Sequence, residues 1–113
     1  MELLIATTNS GKVREYRSLF AGLSCSLLGL PDLGITQDVA ETGSSYEENA
    51  VLKAREFAAL SGRLTLADDS GLEVDALAGR PGVHSARYAP DNPARIQKLL
   101  GELQSVADDQ RTA

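Results

Sequence analysis

Leu3-Leu4-Ile5-Ala6 is a short apolar run bounded at once by the polar cluster Thr7-Thr8-Asn9-Ser10-Gly11. Such a run suits a buried strand that ends in a loop. Beyond Gly11 the apolar positions Val13, Tyr16, Phe20 and Leu23 step by three, four and three, the spacing of a helix with one buried face. Asn9 or Ser10 can cap the start of that helix, and Gly22 is placed to end it. A strand that runs through a tight loop into a helix points to the α/β class.

The remaining pattern repeats the alternation. Cys25–Leu30 reads as a second strand, and Pro31 and Gly34 then bracket an irregular stretch. Ser44 and Ser45 stand three residues before Glu47 and Glu48, a capping box in either register. Ala50, Ala54, Phe57 and Ala58 form the apolar stripe of the helix that follows, with Gly62 as its stop. Leu64–Ala67 reads as a buried strand running into Asp68-Asp69-Ser70-Gly71. Leu72, Val74 and Ala76 alternate with polar residues, as in a half-buried strand over 72–76. After a loop rich in Gly and Pro, Pro93 to Val106 is predicted as a third helix, with Ile96, Leu99, Leu100 and Leu103 on one side. At 113 residues the chain reads as a single domain over 1–113. The last six residues carry neither a helix stop nor a closing strand, so it reads as the front part of a longer domain.

Charge narrows the function classes. Eleven Lys and Arg against sixteen Asp and Glu leave a net charge of −5, which opposes non-specific binding to nucleic acid or anionic membrane. The single cysteine, Cys25, has no internal partner and fits a reducing compartment. No apolar run approaches a membrane span, and the acidic MELLIAT start is too short for a signal segment. The expectation is a soluble, cytoplasmic protein.

Three stretches could carry chemistry. Thr7, Thr8, Asn9, Ser10, Gly11 and Lys12 lie between a strand and a helix N-terminus, where backbone N–H groups and the helix dipole favour an anion and Lys12 adds a charge. The stretch is not a Walker A loop, which needs glycine at Ala6 and Ser or Thr at Val13. An ordinary capped helix with an exposed lysine has the same spacing. Asp68 and Asp69 are adjacent carboxylates at a strand end, costly without a cation or donors nearby and suited to Mg²⁺. A solvated Asp-Asp-Ser-Gly turn is the plain alternative. Asn49, Lys53 and Glu56 form a polar stripe beside the apolar one, from which Lys53 can reach a cleft or simply face solvent. Glu41 is a candidate loop ligand, His84 lacks a partner at metal spacing, and Ser70 has no nearby His to activate it.

Taken in order, Ala6–Glu15, Glu41–Ala50 with Lys53-Ala54, and Ala67–Leu77 continuing through Pro81-Gly82-Val83 and Ser85–Ala89 resemble the inosine/xanthosine triphosphate pyrophosphatase family. The later Phe-Gly-Tyr-Asp and Ser-His-Arg stretches of that family do not occur in these residues. The resemblance implies an α/β fold with a mixed central sheet flanked by helices, two-lobed, with the nucleotide in a cleft. It implies a Mg²⁺-dependent enzyme that converts deaminated purine nucleoside triphosphates to monophosphate and pyrophosphate, and a homodimer at full length. By the same resemblance Thr7 to Lys12, Lys53 and Ser70 would hold substrate. Glu41 and Asp69 would bind the metal, and Asp69, assisted by Asp68, would accept the proton from water, although either aspartate is a possible general base. The 113 residues alone would be nearly inactive, since the family's purine contacts lie elsewhere. The alternative is a non-catalytic receiver-type α/β signalling module with an acidic metal pocket. That architecture puts its acidic pair after the first strand, where this chain has TTNSGK.

Overall fold

The computed structural model describes residues 1–113. Strands β1 (Glu2–Ile5), β2 (Ser26–Gly29) and β3 (Thr65–Leu66) form a three-stranded sheet in the order β2-β1-β3. Leu4 stands opposite Leu28 on one side and Thr65 on the other, and both pairings are parallel. Parallel neighbours need a crossover between them. Helix α1 (Ser10–Leu19) joins β1 to β2, and α2 (Tyr46–Ser61) precedes β3. The α/β class with helices flanking a sheet is the one the sequence predicts, and its sheet pairings here are all parallel. The chain divides into two compact units, 1–69 and 70–113.

The sheet lies in the first unit and is dry on both faces of β1. Leu4 and Ala6 join Leu30, Val39 and Phe57 in the core, with Leu28, Leu33, Ile35 and Ala67 packed against it. Leu3 and Ile5, on the opposite side of the pleat, are also buried. Phe57 is the anchor that α2 sets into this core. Cutting it back to alanine would cost about 3–5 kcal/mol.

Local signals explain where the helices start and stop. Asn9 caps α1, its Oδ1 accepting from the N–H groups of Gly11 at 2.9 Å and Lys12 at 3.3 Å. The helix stops at Leu19, ahead of the predicted stop at Gly22. Tight turns follow, Ala21 N–H to Ser18 O and Leu23 N–H to Phe20 O, and they leave Leu23 exposed where a buried position was expected. Ser45 Oγ caps α2 by accepting from Glu48 N–H at 3.1 Å. Glu48 Oε2 reaches back to accept from Ser44 N–H at 2.7 Å and Ser44 Oγ at 3.1 Å, so both serines of the predicted box are used. Gly62 ends α2 in the left-handed region at φ 67°, where a side chain would be strained.

The second unit departs further from the pattern. Residues 72–76 do not form a strand; Glu73 makes one isolated antiparallel bridge with Pro81, and a 3-10 turn covers Asp75–Leu77. Its polar backbone is satisfied by the following loop instead of by a neighbouring strand. Leu72 N–H donates to Ser85 Oγ, Val74 N–H to Arg80 O, and Gly82 N–H to Leu72 O. Val74 alone of the alternating apolar set is buried. Helix α3 (Asn92–Glu102) is capped by Asp91, whose Oδ1 accepts from Ala94 N–H at 2.8 Å. It ends short of Val106, with Leu103 buried but Ile96 and Leu100 exposed. Arg111 donates to the carbonyls of Leu103 and Val106, just beyond the end of the helix.

Candidate functional site

In open parallel sheets ligands gather beyond the carboxyl ends of the strands, where successive connections leave in opposite directions. β1 is such a place, because the chain leaves it for β2 on one side and returns as β3 on the other. The loops that follow β1 and β3 are TTNSGK and Asp68-Asp69, so the topology places two of the predicted stretches at neighbouring strand ends.

These stretches meet through side chains. Lys12 Nζ lies 3.2 Å from Asp68 Oδ2 and 3.3 Å from Oδ1. The Tyr16 hydroxyl, one turn further along α1, donates to Asp68 Oδ2 at 3.3 Å. Burial first, then the charge and hydrogen bond of Asp68, then the charge of Glu15 raise the Tyr16 pKa above the ordinary 10.0. Tyr16 is absent from the sequence-based site. It occupies a stripe position that reads as core, and nothing in the spacing separates a phenol that packs from one that also donates.

A second group lies around Lys53. Its Nζ is 3.5 Å from Glu41 Oε1 and 3.8 Å from Asp69 Oδ1. All three side chains are largely buried, Asp69 most of all at 7% exposure. Two acids and one lysine leave a surplus negative charge in a poorly hydrated place. Asp69 Oδ2 is buried without a hydrogen-bond partner. A carboxylate oxygen left unsatisfied this way marks a place for a donor or a cation. Paired carboxylate oxygens are hard donors that suit Mg²⁺, which often takes one or two carboxylates with the rest from water and phosphate. No third His, Cys, Asp or Glu joins Glu41 and Asp69 in a metal-sized group. The residues present fit a divalent cation with two protein ligands.

The TTNSGK loop is built differently from the open cradle the spacing suggests. Asn9 already occupies the N–H groups of Gly11 and Lys12, and Thr7 Oγ1 accepts from Asn9 N–H at 3.1 Å. Thr8 and Ser10 are exposed, and Thr7 is half-buried. A cleft of about 380 Å³ opens beside this loop, lined by Thr7, Thr8 and Ser10 and by the arginines Arg14 and Arg17 of α1. Arg17 is 3.5 Å from Asp32 across it. Neither arginine stands out by sequence, since both fall on the polar side of α1. Ser70 is exposed and opens the second unit, and Glu56 is exposed on α2.

The Ham1 family model matches residues 3–113. The chain belongs to the Ham1 family. Over 99% of its length it is 56% identical to the dITP/XTP pyrophosphatase of Geobacillus kaustophilus, of which it covers 56%, and 44% identical to that of Bacillus subtilis, of which it covers 58%. It therefore spans little more than half the length of these relatives. Among solved structures, the Staphylococcus aureus Ham1 protein superposes with a TM-score of 0.74 at 43% identity, over 96% of this chain and 57% of that one. A HAM1 protein from Coxiella burnetii gives 0.77 at 40% identity, over 96% and 56%. No observation favours the receiver-type alternative, and the acidic pair follows β3 instead of β1.

Proposed function

We propose that these residues carry the metal-binding and phosphate-handling part of an enzyme that hydrolyses deaminated purine nucleoside triphosphates (ITP, dITP and XTP) to monophosphate and pyrophosphate. The observation that carries the reading is the Lys53 group: two buried carboxylates on one ammonium, with an Asp69 oxygen left unsatisfied. Family membership and the activity named for the relatives support it.

Glu41 and Asp69 would hold Mg²⁺, which when bound neutralises phosphate charge and makes water more acidic. Lys53, released from part of its ion pairing, turns its charge toward the triphosphate. Lys12 does the same from the first turn of α1, with Thr7 to Gly11 alongside it and Ser70 at the next loop position. Asp69 accepts the proton of the attacking water. Asp68, held by Lys12 and Tyr16, keeps the lysine oriented. The same reading carries a cytoplasmic homodimer at the relatives' full length, which sedimentation equilibrium would report as twice the chain mass.

The point of attack is the decisive test. A protein of the relatives' length carrying these residues, given ITP and Mg²⁺, should release inosine monophosphate and pyrophosphate. Orthophosphate with inosine diphosphate would mean attack at the terminal phosphorus and would overturn the reading.

A further inference from the structure

Asn49 is the one polar residue among the buried set, and it is 0% exposed. Burying an amide is costly unless it is fully paired, and Asn is an indifferent helix former, so such a residue inside α2 needs a reason. Its Oδ1 accepts from the N–H of Gly43 at 2.8 Å. Its Nδ2 is buried with no hydrogen-bond partner. Half of the amide is left unsatisfied, while the other half supplies one acceptor to one loop.

That loop carries Glu41. A Cβ on Gly43 would lie 2.6 Å from Glu48 Cβ and 2.7 Å from Asn49 Oδ1, so the backbone is seated on the first turns of α2 as closely as a hydrogen atom allows. On the other side of Glu41, Val39 is sunk in the core. Glu41 thus sits between two fixed points. Lys53, which meets its carboxylate, lies one helical turn beyond Asn49 on the same helix.

We infer that Asn49 is a positioning residue: by holding Gly43 it sets the Glu41 carboxylate beside Asp69 and so shapes the oxygen pair for a divalent cation. The inference rests on the metal role proposed above for Glu41 and Asp69. Residues that orient metal ligands typically change metal affinity by about 10–100-fold when replaced.

Mn²⁺ binding without nucleotide, read from the electron paramagnetic resonance of the free ion, tests this apart from catalysis. Glu41→Gln should weaken binding. Asn49→Leu, which keeps the volume and removes the acceptor, should weaken it by about 10–100-fold. Asn49→Asp, which keeps the acceptor, should bind Mn²⁺ near the parent value. In the Glu41→Gln background, Asn49→Leu should cause no further loss, because it acts through the carboxylate already removed. If Glu41→Gln weakens binding while Asn49→Leu leaves it unchanged, the positioning role is wrong and the metal role stands. If Glu41→Gln itself changes nothing, the metal role fails and this inference fails with it. Should Asn49→Leu not fold, Gly43→Ala attacks the same contact from the loop, and parent-like Mn²⁺ affinity in that variant would overturn the inference.

Discussion

Asp69 joins burial to an oxygen that the fold leaves unsatisfied, so its replacement tests more than charge. Asp69→Asn keeps the shape and removes both the metal ligand and the proton acceptor of the proposed mechanism. Loss of a general base alone lowers the rate by about 10²–10⁴-fold. In a protein of the relatives' length carrying these residues, steady-state hydrolysis of ITP should fall by at least that much, while Glu73→Gln, at an exposed position, should leave it near the parent rate. Equal losses in the two variants would remove the distinction. Tyr16 gives a second test at this scale. Its raised pKa means that the folded chain keeps the phenol proton past the ordinary 10.0, so the stability it contributes is complete below that pH and is lost as the pH climbs through its own value. The phenolate absorbance of the three tyrosines should show a late-ionising component that Tyr16→Phe removes. An alkaline limb that keeps its late component in the variant would assign it elsewhere. Glu41, Lys53 and the acidic pair were legible in the sequence as candidates, each with a plain solvated alternative, and the fold brings Lys53 beside Glu41 and Asp69. Tyr16 and Asn49 were not, because a stripe position and a polar-stripe position are each compatible with packing, and burial decides between uses only once the fold exists.

At the scale of elements, the capping chemistry of α2 is the most sharply specified feature of the chain. Ser45→Ala removes the acceptor of the Glu48 N–H and should cost about 1 kcal/mol. Gly62→Ala forces a side chain into the left-handed region and should cost roughly 1–2 kcal/mol. Chemical denaturation of both variants checks these values, and an unchanged midpoint in either would show that its cap does not support the helix. The same local chemistry made α1 and α2 readable, since Asn9, Ser45 and Gly62 act on backbone groups within a few residues. Residues 72–76 were not readable in this way. Alternation tells which side chains could share a face, but a strand also needs a neighbour for its N–H and C=O groups. Ser85, Arg80 and Gly82 take up those groups first. Helix α3 also departs from its pattern. Its apolar positions Ile96 and Leu100 promise a buried side, yet only Leu103 is buried.

For the molecule as a whole, the alternation of strand and helix made the α/β class legible, but strand order is set by long-range pairing that no local pattern records. That order has a consequence in time. Of the three strands, the first to be synthesised is the middle one, and Leu4 must pair with Thr65 before its second edge is covered. At synthesis rates of about 5–20 residues per second, the roughly sixty intervening residues take about 3–12 s. During that interval a hydrophobic strand has at most one neighbour, and an uncovered strand edge invites pairing with other chains. Protection of the nascent chain should therefore arrive in one late step. Protease challenge of stalled chains should find residues 1–30 cleavable until Leu66 has left the ribosome and resistant soon after. Resistance gained as soon as β2 emerges would mean that β1 and β2 form a stable pair by themselves, and that the wait for β3 exposes nothing.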